Sequence, residues 1–477
     1  MFSAIITGIS NSWISFKSFL AFKGMLCFCF SAILSLSLSG ILEPLKAQPS
    51  PPMVNDPLHN LQWYFENTGS MGCSEPGIDL GVREAWALTR GDPSVIIAVI
   101  DTGIDLDHPD LNNQLYPRGE EDWNFSSGFR LDPADTTGHG TNVAGLACAE
   151  ADNEHGIAGL APDCRLMPLK VDGILSFPQN VLSALEYILG FVLANPDLRV
   201  VVNMSLSSSG GGFDNETAEL ITILRSEGVP TFCSAGNSGG DVIFPARHPD
   251  SFAIGAVAPN GVRIQATQNC VTEDFTSNRG PELDFVAPGV HLATTDALAP
   301  AGLTGGDYNG NFQGTSGASP LAAAVAALML SANPELSVDD LEALLRHTAR
   351  DGIGSPSEDL PGWDVSHGWG MIHAGAAVSA AQNALRFKRG DADLNGTIEI
   401  TDALVILGFL FLGDSILSCL AAADIQDDNN VDISDAIGIF GYLFKGEAPP
   451  AEPFLTPGFD ATPSEGLPLC LRTNQSI

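Results

Sequence analysis

Val95-Ile96-Ile97-Ala98-Val99-Ile100-Asp101-Thr102-Gly103 decides the fold. Apolar residues running on without alternation read as a strand buried on both faces, the mark of a central parallel strand. The acid and glycine that follow end the strand in a polar turn, at the sheet end where α/β proteins collect ligands and catalytic groups. Working outward, apolar β-branched runs recur at 164–171, 200–204, 231–233 and 252–257, separated by helical stretches. That alternation predicts an α/β fold over residues 56–386, a mostly parallel sheet with helices on both faces. At 477 residues the chain is too long for one ordinary core, so a large domain with smaller additions is expected.

Two later segments carry reactive side chains. Gly138-His139-Gly140-Thr141 opens a small-residue helix over 141–149, and Gly314-Thr315-Ser316-Gly317-Ala318-Ser319-Pro320 opens an Ala-rich helix over 316–331 that stops before Asn333-Pro334. Each residue has a plain alternative: a turn Asp at 101, a loop His at 139, an N-cap Ser at 316. Together they are more specific. Asp, then His, then Ser is one of the chain orders in which a hydrolytic triad occurs, and a helix start offers N–H groups to a developing oxyanion. Ala318 stands where a Gly-x-Ser-x-Gly elbow would need glycine, which sets the α/β-hydrolase pattern aside. Ser234-Ala235-Gly236-Asn237-Ser238-Gly239, after another strand, supplies in Asn237 an amide that can donate beside the Ser316 N–H.

These segments resemble the subtilases, the subtilisin-like serine peptidases, over roughly residues 56–380. The likeness rests on Asp101 with Asp107-His108-Pro109-Asp110-Leu111, on His139, Asn237 and Ser316, and on Phe275-Thr276-Ser277-Asn278-Arg279-Gly280 followed by Val286-Ala287-Pro288-Gly289. It implies Asp101 as orienter, His139 as general base, Ser316 as nucleophile and Asn237 in the oxyanion hole. It further implies that Ser205-Leu206-Ser207, after Asn203-Met204, pairs with substrate backbone. Gly236 and Val242-Ile243-Phe244-Pro245 would line an uncharged pocket suited to apolar or aromatic side chains, with a cis bond before Pro245. Asp110 and Asn153 match a calcium site of the family. One departure is Gly317, where the family usually has Met; a glycine there is expected to free space beside the nucleophile.

After Arg386-Phe387-Lys388-Arg389-Gly390 the composition changes: residues 391–477 hold 14 acidic and 2 basic side chains. Asp391, Asp393, Asn395, Thr397 and Asp402 occupy positions 1, 3, 5, 7 and 12 of a calcium-type loop, with Gly396 at the sharp turn. Thirty-three residues on, Asp424, Gln426, Asp428, Asn430 and Asp435 repeat the pattern, with Asn429 at the turn. Asparagine tolerates the left-handed conformation, so the second loop is expected to be weaker and not broken. Both lead into apolar helices, giving a small all-α loop–helix module over 387–447. The pair resembles a dockerin, which implies calcium as cofactor and a cohesin-like protein as partner. A calcium-stapled appendage without a partner is the alternative.

The remaining features bound the setting. A net charge of −36 excludes nucleic-acid binding, which needs Lys and Arg against phosphates. Lys17 and Lys23 before the apolar stretch 25–42, with Ala47 ending a cleavage-like site, read as a signal peptide over 1–47, followed by a lead-in at 48–55. No later segment approaches a membrane span, so no stable insertion is expected, and the protein is expected to be secreted or at the cell surface. Past the signal seven cysteines remain, an odd number; Cys148 with Cys164 and Cys419 with Cys470 are the first pairs to test, and Cys233 reads as a buried thiol. Residues 448–477 read as an irregular Pro-rich acidic tail. The functional expectation is a serine endopeptidase acting on proteins or peptides. The alternative is a non-catalytic binding protein that keeps the fold and works through its calcium repeats.

Overall fold

The computed structural model describes residues 54–117, 123–126, 132–171, 177–207, 215–266, 274–413, 416–459, 467 and 470. The signal segment, most of the lead-in and Cys270 lie outside them. The frame is a six-stranded sheet of β1 (Val95–Asp101), β2 (Arg165–Lys170), β3 (Arg199–Met204), β4 (Thr231–Ser234), β5 (Phe252–Val257) and β6 (Phe285–Pro288), in the order β2-β1-β3-β4-β5-β6. Every pairing is parallel. All of β1 is buried, as its unbroken apolar run requires. β6 ends on Pro288, which the edge of the sheet tolerates because its outer side carries only an isolated bridge, from Val286 to Met371. A separate antiparallel hairpin joins β7 (Leu292–Thr295) to β8 (Tyr308–Phe312).

Helices cover both faces: α1 (His139–Cys148), α2 (Phe177–Ala194), α3 (Asn215–Ser226), α4 (Thr315–Ala332), α5 (Val338–Thr348) and α6 (Ala374–Asn383). The alternating side chains of β1 feed two cores. Val95, Ile97 and Val99 pack on the α1/α4 side, and Ile96, Ala98 and Ile100 pack on the α2/α3 side. With 18 residues and a mean hydropathy of 1.4, α4 is long and apolar enough to cross a membrane by composition, contrary to the expectation that no later segment approaches a span. It is instead the central core helix, with Ala318 to Leu330 buried.

The tail adds α7 (Ile400–Leu407), helical onward to Leu412, and α8 (Ile433–Lys445). Its own core is Ala403 and Ile406 against Ile425, Ala436 and Ile439. Composition breaks near residue 390, but packing does not: the described residues on either side of it belong to one compact unit. Arg389 is fully buried. It donates to the carbonyls of Ala421 (3.0 Å), Asp424 (2.8 Å) and Glu452 (3.0 Å) and pairs with Asp427 at 2.9 Å. Arg386 pairs with Asp340 in the capping box of α5. Phe387 exchanges backbone hydrogen bonds with Gly458, and Cys419–Cys470 closes the tail back on itself. The described part of the tail beyond 448 is therefore irregular yet pinned.

The expected Cys148–Cys164 pair is not formed. Both are buried free thiols: the Cys148 sulfur donates to the Cys164 carbonyl at 3.4 Å, and the Cys164 sulfur meets Ser331 at 3.7 Å. Burial pushes the Cys164 thiol up to about 11, so it is an inert packing group. Cys233 is also buried and free, and Cys73 is disulfide-bonded.

Candidate active site

Asp101 is the last residue of β1, and its side chain is 2% exposed. Its Oδ1 accepts from the Thr102 N–H at 2.7 Å and lies 2.7 Å from Nδ1 of His139. Because the carboxylate only accepts, Nδ1 carries the hydrogen, and Nε2 is left with the lone pair. His139 is the first residue of α1. The close approach of α1 to β1 depends on Gly140, where a Cβ would stand 2.1 Å from the Gly103 carbonyl oxygen and 3.1 Å from Cβ of Asp101.

A second carboxylate, Asp135, escaped the sequence reading although it lies four residues before His139. It accepts from Thr102 Oγ1 (2.9 Å), Thr137 N (2.9 Å), Thr141 N (2.9 Å) and Thr141 Oγ1 (2.7 Å), tying the end of β1 to the first turn of α1. Burial alone would lower the His139 pKa. The charge and hydrogen bond of Asp101, helped by the charge of Asp135, outweigh it, and the imidazole ends above its ordinary value. From the other side, Asn142 of α1 is gripped by Asp296 (2.9 Å) and Asn309 (2.8 Å), and Thr294 and Thr295 donate to the Asn142 and Thr141 carbonyls. The β7–β8 hairpin thus braces the histidine helix, and the Phe312 ring meets the imidazole edge-on at 5.6 Å.

Ser316 lies in the first turn of α4, behind N-cap Gly314. Its hydroxyl is 3.5 Å from the Ser205 carbonyl, too long for a firm hydrogen bond, and makes none with His139 in this orientation. The turn itself is fixed. Ser205 Oγ donates to the Ser316 carbonyl at 2.9 Å, and Ser319 Oγ donates to Asn203 Oδ1 at 2.7 Å. The Ser205 side chain is thus a buried staple, which leaves open the expected pairing of residues 205–207 through their backbone. Leu206 is half-buried against the α2/α3 core, and Ser207 is exposed.

Asn237 is exposed, and its Oδ1 accepts from Thr315 N at 2.9 Å and Thr315 Oγ1 at 3.0 Å. Those bonds fix which way the amide faces, and Nδ2 takes no partner among the described residues. The Gly236 N–H donates to Thr315 Oγ1 at 3.1 Å, so residues 236–237 and the start of α4 form one piece. Asn278 props this rim. Its Nδ2 reaches the Ala235 (3.1 Å) and Asp241 (2.8 Å) carbonyls, and its Oδ1 receives Ser238 N and Gly240 N. The Phe244–Pro245 bond is cis, as the resemblance implied.

Gly317 does not free space. A Cβ there would stand 2.4 Å from Cδ1 of Leu292 and 3.4 Å from the Phe312 ring, so the volume is already filled by the hairpin that braces His139.

Of the expected metal ligands, one oxygen each from Asp391, Asp393 and Asp402 lie within 4.8 Å of one another. The two loops share a backbone. Asp391 accepts from Asn395 N and Gly396 N as Asp424 does from Asp428 N and Asn429 N. Asp402 and Asp435 each cap their own helix. Positive φ falls at the same loop positions, Leu394 (60°) with Gly396 (94°) and Asp427 (59°) with Asn429 (67°). Asn395 is anchored to Asp393 and Thr397, and Gln426 to Ser434; Asn430 lies toward Asp432 at 3.4 Å. Burial pushes Asp402 and Asp435 up to about 6. Asp110 and Asn153 are brought together by a 2.9 Å bond from the Asn153 amide nitrogen. The buried Asp56, which the sequence reading missed, accepts from Asp152 N (2.9 Å) and Asn153 N (3.3 Å) in the same loop.

Residues 92–370 match the model of the subtilase family. The chain is 30% identical over 343 residues to bacillopeptidase F of Bacillus subtilis (strain 168), covering 66% of this chain and 22% of that protein. It is 30% identical over 419 residues to the cell wall-associated protease of the same organism, covering 81% of this chain and 43% of that one. The chain thus spans less than half the length of either relative. Among solved structures, a protease of Pseudoalteromonas arctica PAMC 21717 superposes with a TM-score of 0.56 at 26% identity, covering 69% of this chain and all of that one.

Proposed function

For a chain that belongs to the subtilase family, we propose the activity of a secreted serine endopeptidase with Asp101, His139 and Ser316 as its triad. The observation that carries this reading is the 2.7 Å Asp101–His139 bond, set at a strand end and braced from both sides. For the reaction, Ser316 Oγ must leave the Ser205 carbonyl and turn toward Nε2. As Oγ attacks the scissile carbonyl carbon, Nε2 accepts its proton, and Asp101 steadies the imidazolium. The carbonyl oxygen becomes an oxyanion, received by the Ser316 N–H at the helix start and by Nδ2 of Asn237, which Thr315 has already aimed. Collapse breaks the C–N bond, and the amine leaves with the proton from Nε2. Water then repeats the sequence to free the acid.

Substrate would lie along residues 205–207 by backbone pairing, with the side chain before the scissile bond against Gly236 and residues 242–244. The uncharged lining favours Phe or Leu over Lys there. The test is hydrolysis of peptide anilides ending in Phe or Lys: the Phe substrate should be cut faster, and Ser316→Ala should cut neither. Undiminished hydrolysis by Ser316→Ala would remove the reading. A purely binding role is disfavoured because Thr315 spends two hydrogen bonds on orienting Asn237, which binding through the tail does not need.

The tail supports calcium. All-oxygen donors and the repeated left-handed turns suit a hard cation, which Asp391, Asp393, Asn395, Thr397 and Asp402 would hold in one loop and Asp424, Gln426, Asp428, Asn430 and Asp435 in the other. Bound there, calcium would neutralise crowded carboxylates and lock each loop to its helix. The Asp110, Asn153 and Asp56 oxygens are the other place whose residue types suit it. A dockerin-like contact with a cohesin-like partner is supported by matched exposed side chains 33 residues apart, Ile400 and Leu404 (47% and 54%) against Ile433 and Ile437 (49% and 53%). Calcium titration of wild type against an Asp402→Asn, Asp435→Asn double variant should show two sites lost. Equal stoichiometry would refute the loops as sites. Export is supported by the signal-like segment, the Cys419–Cys470 bond and the name of the cell wall-associated relative.

A further inference from the structure

Residues 351–368, between α5 and α6, carry a polar cluster that peptide hydrolysis does not use. Asp359, Asp364 and His367 are 5%, 6% and 1% exposed. One oxygen of each carboxylate and one ring nitrogen of the histidine lie within 4.8 Å of one another. Backbone amides hold the carboxylates in place: Gly352 and Gly354 donate to Asp359, and Leu360 (2.9 Å), Ser366 (2.6 Å) and His367 (3.0 Å) donate to Asp364. These donors are neutral, and among the described residues no Lys or Arg pairs with either carboxylate.

His367 supplies the independent observation. Its Nε2 lies 3.1 Å from the Gly261 carbonyl oxygen, which can only accept, so Nε2 carries the hydrogen and Nδ1 the lone pair. Nδ1 is buried and has no hydrogen-bond partner among the described residues. Two buried carboxylates without a cationic side chain, next to a free imidazole lone pair, are what a metal ion balances. A third carboxylate, Asp351, stands exposed at the edge, accepting from Gly352 N (2.8 Å) and Gly362 N (2.6 Å).

We infer that Asp359, Asp364 and His367 form a structural site for a divalent transition metal of the zinc class, with one nitrogen and two carboxylate ligands. The nitrogen donor separates it from the tail loops, whose ligands are all oxygen and suit calcium. The site has a structural consequence. Val365 accepts from Gly280 N at 2.9 Å, and Trp369 N donates to the Asp284 carbonyl at 2.8 Å. The first contact reaches the segment carrying Asn278, which props the Gly236–Gly240 rim. The ion would fasten the 351–368 loop behind that rim, some residues removed from the triad.

The test uses the full chain, loaded with zinc alone and then dialysed against millimolar calcium. Metal analysis should find one zinc per chain retained in wild type and in Asp391→Asn, and none in His367→Gln. Zinc should raise the thermal midpoint of wild type and leave that of His367→Gln unmoved. Should His367→Gln fail to fold, zinc-edge X-ray absorption of the wild type decides, because one imidazole nitrogen must appear in the first shell. Absence of retained zinc, its displacement by calcium, equal retention by His367→Gln, or a shell without imidazole would each overturn the assignment.

Discussion

At the end of β1, two carboxylates sit within one network of hydrogen-bond donors: Oδ1 of Asp101 meets Thr102 and His139, while its buried Oδ2 has no partner among the described residues, and Asp135 meets three threonines. In the tail, Asp391 and Asp402, like Asp424 and Asp435, converge on one another, and burial raises all four. The two regions answer the same electrostatic problem in different ways. The proposed catalytic centre is finished by the fold itself, through strand end, helix start and hairpin. The tail loops, on the proposed reading, would be finished by a cation. The triad serine and the attachment of the tail lie at opposite ends of one helix. Ser316 opens α4, and its far end, about 27 Å away for 18 residues, leads to Glu335 and Asp340, where Arg386 docks the tail. Chemistry and calcium should therefore separate.

The largest test of that separation is Asp101→Asn. It should cost roughly 10⁴-fold in kcat/KM by leaving the imidazole in the wrong tautomer, while calcium stoichiometry stays at the wild-type value. Asn237→Ala should lower kcat by roughly 10²–10³-fold with little change in KM, as expected of a donor used only in the transition state. Calcium removal should act on the other side. At a free calcium about 100 times the dissociation constant, each loop gains about 2.7 kcal/mol, so the Asp402→Asn, Asp435→Asn double variant, compared with wild type in calcium, should raise amide exchange across α7 and α8 and leave exchange across α1 unchanged. Gly317→Met should destabilise by about 1–3 kcal/mol, read as a lower thermal midpoint, because Leu292 must move. The smallest effect concerns pH. The base must be neutral, and its pKa is raised, so activity should appear on an acid limb above the ordinary histidine value of about 6.5. Asp135→Asn removes one charge that raises it and should move that limb toward lower pH.

Much of this was legible in the sequence, for identifiable reasons. β1, β3, β4 and β5 were readable because central parallel strands are apolar throughout. β6 was not, since Pro288 looks like a loop residue and only an edge position permits it. The β7–β8 hairpin is too short and polar to announce itself. Among site residues, Asp101, His139, Ser316 and Asn237 sit in glycine-punctuated motifs. Asp135 does not, and its role exists only through Thr102 and Thr141, which the fold brings together. Gly317 misled because a glycine states that no side chain is present and says nothing of which neighbour fills the volume; here it is Leu292. Arg389 stands in the sequence only as part of the basic run before the change in composition, and its burial depends on carbonyls from residues 421, 424 and 452.

The most direct test is labelling of the full chain with a fluorophosphonate, followed by peptide mapping, in calcium and then in chelator. One equivalent on Ser316 in both conditions at 25 °C, abolished by His139→Ala, is the predicted result. Labelling of another residue, or none in calcium, would contradict the triad.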